Sequence, residues 1–301
     1  MSEQYIESSW TKQDESFELP LRPEHFNDFV GQEKIIDRLQ IHIGDSKQRN
    51  ESISHCLFSG PPGLGKTTLA NIIAKSTGKN IITTSGPILE KASDIAGILT
   101  SLKDGDVLFI DEIHRLPRQI EEYLYPAMED FNLDILIDSG PGARSVQVKL
   151  NKFSLIGATT KMGLLTAPLR SRFLFHARLD YYEPKILTKI IKRSSKLLNI
   201  SIDEDCSLFI AQCSRGTPRI ANNLLKWVRD YAQMNKIKKI NKITAKKALE
   251  MLSIDNEGLD ELDKKLLSII IDHYNGGPVG IQTLSIALGE EASTIAEIYE
   301  P

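Results

Sequence analysis

The apolar residues of this chain follow two patterns. Between residues 55 and 160, short apolar runs such as HCLF, DVLFI and FSLIGATT alternate with stretches of helical spacing such as TTLANIIAKSTG. Continuous apolar runs are typical of parallel strands that are buried on both faces. From Pro184 onward, the apolar residues recur at helical spacing. The pattern therefore predicts an α/β domain with a parallel sheet, followed by helices.

Proline and polar residues divide the chain. Pro184, in YYEPKIL, suits the first turn of a helix, so we place the end of the α/β domain at Glu183. The polar stretch DNEGLD forms a second break at residues 255–260. We therefore expect a large domain over 1–183, an all-helical domain over 184–255 and a third domain over 256–301.

The segment from Gly60 to Thr67, GPPGLGKT, meets the phosphate-loop pattern G-x-x-x-x-G-K-[ST]. Glycines permit backbone angles that expose N–H groups, and a helix that starts near Lys66 directs its positive end to the same place. Lys66 adds a charge for the β- and γ-phosphates, and the Thr67 hydroxyl is a ligand for Mg²⁺. The alternative is an ordinary strand–turn–helix connection, which the flanking strand and helix patterns disfavour.

Two acids follow the apolar run Val107 to Ile110. At the carboxyl end of a strand, Asp111 is suited to hold Mg²⁺ through water, and Glu112 to orient or deprotonate an attacking water. By themselves, two acids after a strand are as well explained by a helix N-cap. Their position after a phosphate loop in an α/β pattern favours the hydrolytic interpretation.

Polar residues after a third strand extend the candidate site. FSLIGATT ends with Thr159 and Thr160, either of which could face a γ-phosphate. Arg170 and Arg172 follow in APLRSRF, and Arg219 opens a helix after a Gly–Thr–Pro turn. Arginine is always charged and binds phosphate oxygens well. A strand that merely ends in threonines, and arginines that merely lie on the surface, are the simpler alternatives.

These motifs, in this order, resemble AAA+ ATPases and, more narrowly, the RuvB family of Holliday-junction branch-migration motors. The resemblance rests on the strings LRPEHFNDFVGQEK, LFIDEIHRL, EEYLYPAMEDF, LIGATTKMGLLTAPLRSRF and RGTPRIANNLLKWVRDYA. It covers nearly the whole chain from Leu21 on. It implies an AAA+ P-loop NTPase domain, a helical lid and a winged-helix domain, with ATP and Mg²⁺ as cofactors.

The resemblance also implies roles for individual residues. Those that hold nucleotide would be Leu21, Arg22, Gly63, Gly65, Lys66, Thr67 and Thr68. Thr67 and Asp111 would serve Mg²⁺, and Glu112 would activate water. Thr160 would sense the γ-phosphate, although the adjacent Thr159 is an alternative. Arg170 would reach the site of the next subunit. Other residues around the nucleotide would be Glu129, Asp130, Phe131, Arg172, Tyr182 and Arg219. Lys161 departs from the arginine usual in the family but keeps its charge.

The partners implied by the resemblance are branched double-stranded DNA, a RuvA-type junction-binding protein, a RuvC-type resolvase and five further copies in a homo-hexamer. Residues 132–150 carry two alternating apolar segments, with Leu133, Ile135 and Ile137 in one and Val146, Val148 and Leu150 in the other. A Gly–Pro–Gly turn separates them, which predicts a hairpin. In the family, a hairpin at this place docks onto the RuvA-type partner.

Composition limits the class of protein and its location. The chain is 41% hydrophobic and 26% charged, which is ordinary for a globular protein. No apolar run approaches the length of a membrane span, the polar N-terminus is unlike a signal peptide, and the three cysteines have no metal-site spacing. We therefore expect a cytoplasmic protein without a membrane partner.

Charge is uneven along the chain. Residues 184–255 hold 15 Lys and Arg against 6 Asp and Glu, whereas residues 256–301 hold 2 against 9. The last segment resembles the three helices of a winged-helix domain without its basic wing. We therefore expect an incomplete winged helix that binds DNA poorly by itself.

Three functions are compatible with these features. The first is an ATP-driven ring motor on branched DNA, the second a clamp-loader-like AAA+ switch, and the third a non-catalytic ATP-binding assembly subunit. Glu112 and Arg170 argue against the third, and the family-specific strings argue against the second.

Overall fold

The computed structural model describes residues 19–136 and 145–300, which form two compact units. The first unit comprises residues 22–180. The second comprises residues 181–300 together with 19–21. The model agrees with the expected order of an α/β part followed by helices.

The first unit contains a five-stranded parallel sheet in the order β2–β3–β6–β1–β7. Its strands are β1 Cys56–Ser59, β2 Ile81–Ser85, β3 Val107–Asp111, β6 Ser154–Thr159 and β7 Phe175–Arg178. The helices of this unit are α1 Glu33–Gln48, α2 Lys66–Thr77, α3 Ala92–Ser101, α4 Arg118–Glu129 and α5 Ala167–Ser171. The predicted parallel sheet is thus confirmed.

Burial explains why the central strands are continuous apolar runs. Every residue of β1 and β6 is buried, as are the first four residues of β3. A strand covered on both faces has no side that tolerates exposed polar residues. Helix α2 starts at Lys66, as expected, and it is bounded by Gly65 and Gly78, which both adopt left-handed backbone angles.

The register of the sheet brings three strand ends together. Ser59, the last residue of β1, is paired with Thr159, the last residue of β6. On the other side of β6, Ile110 of β3 is paired with Gly157. In an open parallel sheet, ligands bind beyond the carboxyl ends of the strands. The loops after β1, β3 and β6 therefore leave the sheet side by side.

A separate antiparallel pair confirms the predicted hairpin. Strands β4 Asn132–Leu136 and β5 Ser145–Lys149 pair in a register that sets Leu133 opposite Val148. Leu133 is fully buried, whereas Val146 is exposed. The connection, which includes Ile137 and the Gly–Pro–Gly turn, lies outside the described residues.

The second unit is helical. Four helices, α6 Pro184–Leu197, α7 Glu204–Gln212, α8 Pro218–Met234 and α9 Lys242–Glu250, precede α10 Glu261–Tyr274, α11 Ile281–Leu288 and the short α12 Ala292–Thr294. A π-helical turn, Ile295–Tyr299, continues α12. Pro184 opens α6, as expected. The boundaries at residues 183 and 255 stay predictions.

An ion-pair cluster joins the start of α10 to the turn before α8. The Arg215 guanidinium donates to the carboxylates of Asp260 and Asp263, and its Nε donates to the Gly258 carbonyl at 2.9 Å. Asp260 also caps α10 by accepting from the Asp263 N–H at 2.9 Å. Burial raises the pKa of the Asp263 carboxyl above its ordinary value.

Within the described residues, no helix is both long enough and apolar enough to cross a bilayer. This finding bears only on helices of that part of the chain.

The three free cysteines should be inert to thiol reagents in the folded protein. Burial raises the pKa of Cys56 to about 12, that of Cys206 to about 12 and that of Cys213 to about 11. At pH 8, about one thiol in a thousand or fewer would then be the reactive thiolate. We expect N-ethylmaleimide to label none of them before unfolding and all three in denaturant, as measured by mass spectrometry. Rapid labelling of any one in the native protein would contradict its buried position.

Candidate nucleotide site

Three glycines shape the loop between β1 and α2. Gly60, Gly63 and Gly65 have φ angles of 133°, 76° and 106°, a region that disfavours residues with a side chain. A Cβ atom at Gly60 would lie 2.3 Å from the carbonyl oxygen of Leu179. The Gly60 N–H donates to the Thr159 carbonyl at 3.2 Å, which ties the loop to the end of β6. The glycines are therefore required by the geometry of this loop.

Lys66 opens helix α2 and is buried, with 7% of its surface exposed. Its Nζ donates to the carbonyl oxygens of Gly60 and Pro61, both at 2.8 Å. The loop thus folds around the ammonium group of Lys66 at the start of α2. Thr67 and Thr68 follow in the first turn of the same helix, with their residues partly exposed.

The two acids lie where β3 ends. Asp111 is the last residue of the strand, and its Oδ1 accepts from the Glu112 N–H at 2.9 Å. Glu112 has a φ of 45°, which is rare for a residue with a side chain. It precedes the single-turn helix Ile113–Arg115 but makes no side-chain capping bond there. The N-cap alternative for this acid therefore does not hold.

A small polar cluster fixes the Glu112 carboxylate. The Thr160 hydroxyl donates to Glu112 Oε2 at 3.1 Å, and His114 Nδ1 lies 3.1 Å from the same oxygen. His114 Nδ1 is also 2.9 Å from the Thr159 hydroxyl oxygen. That oxygen accepts from the Lys161 N–H at 3.0 Å, and Thr159 is fully buried. Of the two threonines, Thr160 is the one that contacts Glu112.

Sequence reasoning missed two residues that position Glu112. His114 stands two residues after it, within the DEIH string, so that its proximity could have been noticed. Gly86 follows β2, and a Cβ atom there would lie 2.4 Å from the Glu112 carbonyl oxygen. No sequence signal marked this close approach, because it depends on the pairing of β2 with β3.

Other predicted residues form a second group in the same unit. Arg172 donates to Glu129 Oε2 at 3.0 Å and to the Pro168 carbonyl at 2.7 Å. Its guanidinium carbon lies 4.4 Å from the centre of the Tyr125 ring. Phe131 packs edge-on against Phe153, and Asp130 is exposed beside it. Arg170, on helix α5, is exposed.

The remaining predicted residues are divided between the units. Arg22 is partly buried in the first unit. In the second unit, Leu21 is buried and its carbonyl accepts from Arg193 at 2.6 Å. The Tyr182 N–H donates to the Gly216 carbonyl at 2.9 Å. Arg219 is exposed in the first turn of α8, after Pro218. The roles of these four residues stay predictions.

The donors and acceptors of the first group fit a nucleoside triphosphate with its cation. Glycine amides, a helix start and the Lys66 ammonium suit phosphate oxygens. Within residues 19–136 and 145–300, no group of three His, Cys, Asp or Glu could hold a metal ion by itself. Mg²⁺ does not require one, since it is usually held by one or two protein oxygens together with substrate phosphates and water.

Family models match consecutive parts of the chain. Residues 21–179 match the Holliday junction DNA helicase RuvB P-loop domain. Residues 182–255 match the RuvB AAA lid domain, and residues 256–301 match the RuvB C-terminal winged helix domain. The expected kinds of domain are therefore all found, in the expected order.

Curated relatives and solved structures agree. The chain is 62% identical over 301 residues to the Holliday junction branch migration complex subunit RuvB of Protochlamydia amoebophila, covering 100% of this chain and 91% of that protein. It is 55% identical to the same subunit of Chlorobium chlorochromatii, over 95% of this chain and 81% of that one. The Thermotoga maritima RuvB Holliday junction branch migration motor superposes with a TM-score of 0.83 at 49% identity, over 94% and 90% of the two chains.

These matches extend over both compact units and include each motif of the nucleotide site. The phosphate loop, the acidic strand end and the helical segments therefore all belong to one architecture, a P-loop AAA+ domain with a lid and a winged helix. The chain therefore belongs to the RuvB family of Holliday junction branch migration ATPases.

Proposed function

We propose that this chain is the ATP-driven subunit of a ring that moves a Holliday junction along DNA during recombination and repair. The observation that carries the proposal is the Glu112 carboxylate, held by Thr160 and beside His114 at a strand end next to the phosphate loop. A protein that only stored nucleotide would not need a fixed carboxylate there. Family membership supplies the junction as the substrate.

Each residue of the site has a proposed task. The loop glycines and Lys66 bind the phosphates, and Thr68 adds a hydroxyl next to them. Glu112 accepts a proton from the attacking water, because its oxygen is fixed and partly exposed. Thr160 donates its one hydroxyl hydrogen to Glu112 in this structure, and it would donate that hydrogen to the γ-phosphate instead when ATP is bound, which couples the carboxylate to the nucleotide. Mg²⁺, held by Thr67 and Asp111, would neutralise phosphate charge when it is bound.

We assign nucleotide contacts outside this group to Leu21 and Arg22 on the base side, to Glu129, Asp130 and Phe131, and to Tyr182 and Arg219. What supports these assignments is the match of each residue to a family motif. Arg219 has the most direct physical support, because it is an exposed cation in a helix that starts after a Gly–Thr–Pro turn.

We propose that the site is completed by a neighbouring copy of the chain in a homo-hexamer. Arg170 is exposed and would reach the phosphates bound by the next subunit. An arginine supplied in this way raises hydrolysis rates by about 10³ to 10⁵. Arg172, two residues later, is the competing candidate, although Glu129 and Pro168 already hold it within its own subunit.

The proposed partners are branched DNA, a RuvA-type junction-binding protein and a RuvC-type resolvase in the cytoplasm. The hairpin β4–β5 would contact the RuvA-type protein, because it carries the exposed Val146 outside the main sheet.

The function is tested by measuring ATP hydrolysis and strand exchange with a synthetic four-way junction and a RuvA-type protein. We expect ATP-dependent conversion of the junction into two duplexes, and hydrolysis that continues as long as junctions move. Linear duplex of the same length is the control. Hydrolysis of a few ATP molecules per junction without duplex products would favour the clamp-loader-like switch instead.

Lys66→Ala and Glu112→Gln should separate binding from hydrolysis. Lys66→Ala removes a phosphate ligand, so ATP binding should weaken strongly. Glu112→Gln keeps the shape but removes the proton acceptor, so ATP should stay bound while hydrolysis falls by about 100-fold or more. Lys75→Ala, an exposed lysine of the same helix, is the matched control and should behave as the parent chain. Parental hydrolysis by Glu112→Gln would remove Glu112 from the mechanism.

The isosteric changes Thr160→Val and Thr159→Val should have different effects. Thr160→Val should lower kcat by about 10-fold to 100-fold with little change in ATP affinity, because the contact with Glu112 is lost. Thr159→Val should mainly destabilise the fold, by about 1–3 kcal/mol, because it removes a fully buried hydroxyl that accepts from the Lys161 N–H and contacts His114. Thermal unfolding and steady-state ATPase measure both effects. If Thr159→Val lowered kcat and Thr160→Val mainly lowered the stability, Thr159 would be the γ-phosphate sensor.

Mixed rings should reveal which arginine acts between subunits. Arg170→Ala rings should be inactive, and mixing with Lys66→Ala subunits should restore part of the ATPase, because some interfaces then combine an intact loop with an intact arginine. The same mixture with Arg172→Ala is the comparison, and native mass spectrometry shows co-assembly. If ATPase recovered only in the mixture of Lys66→Ala with Arg172→Ala subunits, Arg172 would be the arginine that acts between subunits.

A further inference from the structure

One face of helix α4 is directed at the segment that carries both arginines. Glu121, Tyr125 and Glu129 are spaced four residues apart, which places their side chains on one side of the helix. All three contact residues 166–172, the start and end of helix α5 included. The nucleotide-site motifs account for Glu129 but give no role to Glu121 or Tyr125.

Glu121 is a buried carboxylate at the start of this row, with 3% of its surface exposed. Its Oε2 accepts from the Thr166 hydroxyl at 2.6 Å and from the Tyr125 hydroxyl at 3.2 Å. The two hydroxyl oxygens are 3.2 Å apart. A carboxylate is costly to bury, and its oxygens accept hydrogen bonds about twice as strong as those of a neutral group. Glu121 therefore holds both hydroxyls firmly in place.

Thr166 transmits this constraint to helix α5. It is the N-cap residue, and its hydroxyl oxygen accepts from the Leu169 N–H at 3.4 Å. Its carbonyl accepts from the Arg170 N–H at 3.0 Å, in the first turn of the helix. A helix of only five residues has few other bonds that set its direction. The position of Thr166 therefore constrains the orientation of helix α5, on which Arg170 lies.

Tyr125 transmits the same constraint to Arg172. The guanidinium of Arg172 lies over the Tyr125 ring, 4.4 Å from its centre, while one of its nitrogens donates to Glu129. Since the hydroxyl of that ring donates to Glu121, the far end of the ring cannot move away without breaking the bond. Both arginines are thus connected to one buried carboxylate, by two different routes.

We propose that Glu121 is a positioning residue for the arginine that acts on the neighbouring subunit's nucleotide. The proposal rests on the shared site described under Proposed function, and it holds whichever of Arg170 and Arg172 reaches the phosphates. The proposed role involves no contact between Glu121 and the nucleotide. It acts by keeping Thr166 and Tyr125, and through them α5, in the arrangement that aims the arginine.

The first test is the conservative change Glu121→Gln, with Glu122→Gln as the matched control. Glu122 is the next residue on α4, but its side chain is 61% exposed, and its carboxylate lies 3.6 Å from Nε of the exposed Arg118. We expect Glu121→Gln to lower kcat by about 10-fold with unchanged ATP affinity, because its neutral amide oxygen would accept weaker bonds from the two hydroxyls than the carboxylate does, so that α5 is held less firmly. Glu122→Gln should retain parental kcat. Parental kcat in Glu121→Gln would overturn the proposal.

Recovery of ATPase in mixed rings distinguishes a positioning role of Glu121 from a purely structural one. Glu121→Gln subunits have intact phosphate loops and misdirected arginines, whereas Lys66→Ala subunits have the reverse. Their mixture should regain ATPase, as the mixture of Lys66→Ala with the arginine variant should. A mixture of Glu121→Gln with that arginine variant should show no gain, because neither partner supplies a well-aimed arginine.

The mixed-ring results distinguish failure of the positioning role of Glu121 from failure of the shared site. Recovery with the arginine variant but not with Glu121→Gln would overturn the positioning role alone. No recovery with either Arg170→Ala or Arg172→Ala, despite co-assembly, would overturn the shared site and the positioning role together. If Glu121→Gln does not fold, Thr166→Val replaces it, with Thr166→Ser as the variant that keeps the hydroxyl and should restore activity. Equal kcat for these two variants would also overturn the proposal.

Discussion

The pairing of three adjacent parallel strands is the constraint on which the candidate site depends. Because β6 lies between β1 and β3, and because Ser59 is in register with Thr159, the loops that follow these strands begin next to one another. The phosphate loop, the Glu112 turn and Thr160 come from parts of the chain about 50 residues apart, and the sheet alone brings them together. A shift of one residue in the register would reverse which side chains face the site.

The arrangement requires a strained backbone conformation at Glu112. A left-handed conformation at a residue with a side chain costs about 1–3 kcal/mol and persists only where its surroundings enforce it. Here Gly86 leaves just enough room for the Glu112 carbonyl, and Thr160 and His114 hold its carboxylate. The strained turn places an acid beyond the strand end, where we propose that water attacks the γ-phosphate. A similar principle applies at α5, where bonds from α4 fix a helix too short to fix itself.

The sequence predicted much of this architecture, because its signals were local. The glycines of the phosphate loop, the apolar run before Asp111 and the helix start at Pro184 each follow from a few neighbouring residues, and the structure agrees with them. The choice between Thr159 and Thr160 could not be made locally, since adjacent strand residues face opposite sides and either was compatible with the pattern. Gly86 and Glu121 were missed because their contacts depend on packing between distant segments, whereas His114 lies two residues after Glu112 and could have been noticed.

The central claim is that residues from three strand ends act on one triphosphate. The most direct measurement is a crystal or cryo-electron microscopy structure of the assembled ring with Mg²⁺ and a non-hydrolysable ATP analogue. We expect the γ-phosphate to lie within hydrogen-bond distance of Lys66 Nζ and Thr160 Oγ1, the cation to lie beside Thr67 and Asp111, and the Glu112 carboxylate to face the γ-phosphate. A triphosphate bound away from the ends of β3 and β6, with Glu112 directed elsewhere, would contradict it.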